Sequence, residues 1–313
     1  MENLQVCLRA VLPLVLIIGI GYLAKTLHAI DRNDVPKLNK LAFRYFIPVM
    51  LFYNLYTSDL DHAIQASALL YTLLAVVAVY GLSLGYVLLT EKETLKKGVK
   101  IQGMYRSNTA IVGLSLAGAL LGKGSDLGAV VLMVATVVPV FNVLAVITLE
   151  AFNGRRPSVK KLLLDIVTNP LIVGSVVGIL ALLAGIRLPY VVEATVQQMA
   201  AATNPLLLFL LGAFFEFKGL RRYAKDLAEV CLVRLVIVPA LTLIPAMLLG
   251  FREASFAGMI AVFASSTAIN SFTMTQQMGG DAELAGDIVV LTNALCPFTM
   301  FFWALLFKSL GVF

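Results

Sequence analysis

Six stretches of 20 or more residues carry no charged side chain: 63–90, 127–149, 166–186, 194–215, 254–280 and 288–307. A helix needs about 20 apolar residues to cross the hydrocarbon core of a bilayer. Backbone groups at that depth must find partners within the chain, so runs of this length and composition are expected to be helical. Shorter clean runs at 10–24, 45–58, 107–122 and 235–251 become spans once flanking long side chains snorkel or face the protein interior. The expectation is an all-α integral membrane protein with ten transmembrane helices, at roughly 4–25, 38–57, 64–89, 100–121, 127–150, 162–186, 190–216, 228–250, 255–278 and 284–308. The charged share of 13% is about half the ~25% of a soluble domain.

A shift of about 157 positions lays the second half of the chain on the first. Leu12-Pro13-Leu14 falls on Asn169-Pro170-Leu171, Gly21 on Gly178, and Pro48 with Leu51-Phe52 on Pro205 with Leu208-Phe209. At a shift of 158, Ser107-Asn108-Thr109-Ala110-Ile111 falls on Ser265-Ser266-Thr267-Ala268-Ile269 and Pro139 on Pro297. Chance agreement between apolar segments would scatter the shift, whereas here it holds within one residue. The reading is two five-helix repeats, 1–153 and 154–313. An odd number of spans per repeat makes the second enter the membrane from the opposite face.

The charges test this count. Loops after helices 1, 3, 5, 7 and 9 hold 16 basic residues, in four groups at Lys25–Lys40, Lys92–Lys100, Arg155–Lys161 and Lys218–Lys225. The other side holds five, Arg9, Lys123, Arg187, Arg252 and Lys308. The positive-inside rule then makes the first set cytoplasmic and both termini extracytoplasmic, in a cell (plasma or inner) membrane. The net charge of +6 therefore calls for lipid headgroups and no nucleic acid. The first apolar stretch matches helix 6 and lacks a basic n-region, so it reads as a span and not as a cleaved signal. Cys7, Cys231 and Cys296 show neither paired nor metal spacing and read as small buried hydrophobes.

Catalytic patterns are missing. His28 and His62 fall in loops on opposite sides, and no phosphate-binding Gly-Lys loop occurs. With neither a nucleophile–base pair nor a ligand cluster, an enzyme, a resident cofactor and a bound metal are not expected. Carboxylates such as Glu150, Asp165, Glu193 and Glu216 stay near helix ends. This weakens cation-coupled antiport, which commonly uses an intramembrane acid.

Polar groups at membrane depth are hydroxyls and amides. Helix 4 carries Ser107, Asn108 and Thr109, and helix 9 carries Ser265, Ser266, Thr267, Asn270, Ser271 and Thr273. Consecutive side chains point about 100° apart on a helix, so such runs cannot all face one neighbour. Local unwinding resolves this, with freed N–H groups at the half-helix starts suited to an anion. The alternative is back-bonding to the helix with interhelical hydrogen bonds. In helix 5, Pro139 and Asn142 share a face; Asn142 either lines the site or satisfies the carbonyl that Pro139 frees. Pro48, Pro205, Pro139 and Pro297 are candidate breaks or hinges. Arg106 either attracts an anion or snorkels as an anchor, and Arg44 and Arg234 read as anchors.

These residues resemble the auxin efflux carrier family, which includes the plant PIN-formed carriers and bacterial proteins labelled malate or malonate permeases. Ser107-Asn108-Thr109-Ala110-Ile111-Val112-Gly113 is similar to the family's Pro-Asn-Thr-x-x-x-Gly stretch, and Ala268–Asp281 to its helix 9 signature. Pro139-Val-Phe-Asn142 and Asn169-Pro170-Leu171-Ile172 also look like family segments. The resemblance implies helices 4 and 9 broken and crossing at the midplane. It further implies a scaffold of helices 1, 2, 6 and 7, with a transport domain of helices 3–5 and 8–10 that moves as an elevator. The family's crossover asparagine falls on Asn108 and its helix 5 asparagine on Asn142. Where plant members carry crossover prolines, this chain has Ser107, Ser115, Ser266 and Ser271, which puts an indole-acid substrate in doubt.

The functional expectation is a transporter of a small organic anion, with Asn108, Ser107, Thr109, Asn142, Ser266, Thr267 and Asn270 as the substrate contacts. Proton or sodium coupling is open, and the resemblance favours a homodimer through the scaffold helices. The alternatives are a sodium-coupled symporter of the bile-acid type, with Gln276 and Gln277 as helpers, a channel, and a noncatalytic sensor.

Overall fold

The computed structural model describes residues 2–57, 66–109, 113–121, 128–154, 164 and 167–312. Among them every regular element is helical, and one isolated antiparallel bridge joins Ser107 to Thr267. The helices are α1 (Glu2–Thr26), α2 (Val35–Leu41), α3 (Ile47–Tyr56), α4 (Ala66–Thr90), α5 (Thr94–Tyr105), α6 (Leu114–Leu121) and α7 (Gly128–Ala151). After the linker come α8 (Pro170–Leu183), α9 (Tyr190–Phe214), α10 (Phe217–Arg222), α11 (Ala224–Leu232), α12 (Val238–Leu248), α13 (Glu253–Phe263), α14 (Asn270–Met278) and α15 (Ala282–Ser309). Five helical segments are long and apolar enough to span a membrane among the described residues: α4, α7, α9, the α11–α12 unit and α15. The expected loop cations Arg155, Arg156, Lys160 and Lys161, and His62, Lys123 and Asp165, lie outside the described residues, as do Ala110 and Ile111 of the polar run.

Local signals place the ends. Asn169 caps α8 by accepting the Leu171 N–H at 3.0 Å, with Pro170 in the first turn. Asp281 does the same for α15 through Leu284, and Gly279 stops α14 at φ 94°. Wide π-type turns at Ala42–Phe46 and Val233–Ile237 precede Pro48 and Pro239, where a ring without an N–H interrupts the regular ladder. Helix α9 runs unbroken through Pro205, as α7 does through Pro139 and α15 through Pro297.

Two backbone crossings organise the α1, α3, α8, α9 layer. A Cβ on Gly21 of α1 would collide with the carbonyl of Phe209 in α9, and a Cβ on Gly178 of α8 would meet that of Phe52 in α3 at 2.7 Å. Gly21 and Gly178, and Phe52 and Phe209, are the same pairs that the 157-residue shift superposes. Small residues let helix backbones approach closely where lipid offers no hydrophobic gain.

Helix α5 begins six residues before the expected span at 100. The reason is Lys100, read from sequence among the loop cations and found only 2% exposed. Its Nζ bonds Glu229 at 3.0 Å, Asp226 at 3.1 Å and Glu91 at 3.3 Å, tying α5 to α11. Burial pushes the Glu91 carboxyl up, but the Glu93 N–H and the Lys100 ammonium outweigh this and hold it below the ordinary carboxylate value. A depressed carboxylate stabilises the fold above its unfolded value, and that contribution is lost as pH falls through the folded value. Lys100→Met is expected to cost about 1–3 kcal/mol, because the three carboxylates keep some water. It should also flatten the acid limb of a thermal-melting profile against pH; an unchanged limb would exclude this cluster as its source.

Candidate functional site

The chain leaves helical geometry where the two hydroxyl runs lie. Helix α5 ends at Tyr105 and α6 starts at Leu114; α13 ends at Phe263 and α14 starts at Asn270. The two interruptions cross as a minimal antiparallel pair, with the Asn108 N–H donating to Ser266 O at 2.8 Å. Unwinding frees helix-end carbonyls that lipid cannot satisfy. The hydroxyls take this role: Thr267 Oγ1 donates to Gly103 O at 2.9 Å, and Ser107 Oγ to Val262 O at 2.5 Å. Gly113 packs so tightly on α13 that a Cβ there would collide with Ala261 O.

Arg234 completes the capping. It has no exposed surface. Its Nε donates to Ser265 O at 2.9 Å, Nη2 to Val262 O at 3.2 Å and Nη1 to Tyr105 O at 3.3 Å. One guanidinium thus sits against the negative ends of both α5 and α13. The anchor reading of Arg234 is overturned: its fork is consumed by carbonyls of two other helices, leaving nothing to reach an interface.

Arg106 is buried too, at 2% exposure, so it does not snorkel. Its Nη2 donates to Asn142 Oδ1 at 2.6 Å and Nη1 to Gln102 Oε1 at 2.9 Å, with Met274 Sδ beside the same nitrogen. Asn142 therefore orients Arg106. Among the described residues no carboxylate pairs with Arg106. Asn108 Nδ2, Asn142 Nδ2 and Thr109 Oγ1 are buried without a hydrogen-bond partner.

All four residues line one cavity of about 320 Å³. The crossing supplies Arg106, Ser107, Asn108, Thr109 and Asn270; α7 supplies Val134, Val138 and Asn142; and the facing layer supplies Met50, Leu51 and Asn54 of α3 and Asn204 of α9. A mostly apolar wall with a few converging donors is the usual make-up of a small-molecule site. Of the sequence-derived contacts, Ser107, Asn108, Thr109, Asn142 and Asn270 reach this cavity. Ser266 and Thr267 lie behind it: Ser266 Oγ donates to Asn293 Oδ1 at 2.8 Å, and the Thr267 N–H to Thr292 Oγ1 at 3.3 Å. Gln276 and Gln277 bond Asn39 and Pro36 O away from the cavity. Asn54 and Asn204 escaped sequence reasoning; the available signal was an asparagine inside a charge-free run, alone among amides for Asn54 and beside Gln197 and Gln198 for Asn204.

A family model described as "Membrane transport protein" matches residues 6–161 and again residues 154–304. This chain belongs to that family, the auxin efflux carriers. The carrier is 21% identical over 301 residues to an "Uncharacterized transporter" of Methanothermobacter thermautotrophicus, covering 95% of this chain and 97% of that protein. It is 22% identical over 296 residues to a "Putative malonate transporter" of Rhizobium meliloti, covering 93% of this chain and 92% of the relative. A carrier family accounts for a chain that is multi-pass and apolar, and for a cavity set at broken helices and not on a loop.

Proposed function

We propose that this carrier moves a small organic anion, a mono- or dicarboxylate of about malonate size, across the cell membrane. The observation that carries the reading is the buried Arg106 guanidinium, without a carboxylate partner among the described residues, facing the same cavity as the unpartnered Nδ2 groups of Asn108 and Asn142. A desolvated cation without a counterion is costly; a carboxylate between these donors supplies one. The malonate named for one relative fits a cavity of 320 Å³.

Several features support alternating access by an elevator. The α1, α3, α8, α9 layer crosses backbone to backbone at superposed glycines, as expected of a rigid frame in two inverted repeats. The opposing group, α4–α7 with α11–α15, is bound into one body by the crossing, by Arg234 and by the Lys100 cluster. The cavity opens between the two groups, beside Asn54 and Thr57 at the end of α3 farthest from the basic loops. On the positive-inside rule this is the extracytoplasmic face, with both termini on the same side.

The test is a thermal-shift screen of purified protein against mono- and dicarboxylates, with and without sodium, followed by uptake into proteoliposomes. Asn108→Ala is expected to abolish malonate-induced stabilisation and uptake while the unliganded protein melts as before. Unchanged uptake by that variant would remove Asn108 from the site, and strict sodium dependence would move the reading to a bile-acid-type symporter.

A further inference from the structure

A second cavity, of about 220 Å³, lies at the opposite end of the molecule, among the basic loop ends. Its walls come from the turn after α1, the end of α9 with α10, and the first turns of α15. Asp287 of α15 lines it, although only 3% of the residue is exposed. Its Oδ2 is buried with no hydrogen-bond partner and rests against Gly219 of α10, where a Cβ would collide with the carboxylate.

Among the described residues none of the charged groups around it forms an ion pair with Asp287. From the turn after α1, Arg32 is shared between Glu216 at 3.0 Å and Glu283 at 2.7 Å. From α10, Arg222 pairs with Glu283 at 3.3 Å, and Lys218 lines the cavity without an ion pair to Asp287. On its own helix Asp287 faces Glu283, and Asp281 next to the helix is taken by the Leu284 N–H and the Tyr223 hydroxyl.

A carboxylate with one oxygen buried without a donor is costly while charged. Binding a cation removes that cost, and the cavity discriminates between cations. A metal ion needs a shell of oxygen ligands, whereas here Arg32, Lys218 and Arg222 share the space. A proton needs only the carboxylate.

We infer that Asp287 is a proton-binding site that holds the basic-loop end of the carrier closed. This rests on the elevator reading above. Asp287 and Glu283 belong to the body proposed to move, while Arg32 and Glu216 lie beside the frame. Withdrawing α15 breaks the Arg32–Glu283 pair and wets Asp287, which then releases its proton. Low pH on the basic-loop side therefore favours the closed form. Because the proton returns to the side from which it came, this is a gate and not a coupling ion.

The test compares melting temperatures of wild type and Asp287→Asn in detergent across pH 5 to 8.5, without added anion. Asp287→Ser serves as a second neutral variant if the amide is not accommodated. The profiles should coincide at acid pH and separate by a few degrees above neutrality, with wild type the lower. Parallel profiles would overturn the proposal. So would recovery of wild-type stability at high pH by sodium chloride, which would point to a metal cation. Malonate exchange in proteoliposomes separates the two readings. Wild type should slow as the basic-loop side is acidified, and the neutral variants should be slow at every pH. Divergent melting without any malonate exchange would keep the proton site and remove the anion assignment.

Discussion

Arg106→Gln is expected to abolish anion binding while raising the melting temperature of the empty carrier. The amide can still reach Gln102 or Asn142, so the local hydrogen bonds are partly kept and the charge alone is lost. Truncating one partner of a buried, hydrogen-bonded charge pair costs about 2–5 kcal/mol, or roughly 30-fold to several-thousand-fold in affinity. Without ligand the sign reverses, since wild type carries a desolvated guanidinium that no described carboxylate neutralises. Arg106→Lys keeps the charge and loses the planar fork, so it should bind carboxylates more weakly than wild type and melt no higher. Isothermal titration with malonate and a thermal scan without it give both readings. If Arg106→Gln binds malonate as wild type does, the guanidinium is not the counter-charge and the site must lie elsewhere.

Arg234→Met should have the largest effect on the fold. Val262 O keeps its bond from Ser107, but Ser265 O and Tyr105 O lose the donors seen here. A buried carbonyl left without a donor costs about 1–3 kcal/mol. Two of them, at the crossing of α5 and α13, consume much of the 5–15 kcal/mol by which a typical protein is stable. The expected result is an aggregated peak in size-exclusion chromatography, with Arg234→Lys partly monodisperse because one ammonium can still reach one carbonyl. A monodisperse, wild-type-like Arg234→Met protein would mean that the crossing holds by its backbone pair and hydroxyls alone.

Both helix interruptions were legible because Ser107-Asn108-Thr109 and Ser265-Ser266-Thr267 place three adjacent hydrogen-bonding groups where a regular helix could face only one toward a neighbour. The paired glycines were legible as a repeat, though not what they touch: Gly21 and Phe209 are 188 positions apart. The arginines were illegible for a related reason. Arg44, Arg106 and Arg234 all sit at the margin of a clean run, where snorkelling and burial look alike. What separates Arg234 is a set of carbonyls on α5 and α13, which exist as acceptors only after those helices have broken. Asp287 was hidden in the same way. It directly precedes the charge-free run 288–307, a position that does not tell the water boundary from the protein interior. Gly219 and Arg32, brought in by other helices, seal it off. Charge placement along a chain reports how deep a residue sits in the bilayer, and burial inside the protein is a separate coordinate.

The backbone crossings of Gly21 on Phe209 and Gly178 on Phe52 carry a consequence for how such a chain can diverge. In each, one partner lies before residue 153 and the other after it. No side chain stands between the backbones to be traded for a smaller one, so a glycine lost from one half has no remedy within that half. Each half of the chain is therefore constrained at these points by the backbone of the other, whereas the side chains of Arg106 and Asn142 answer to each other within the first half.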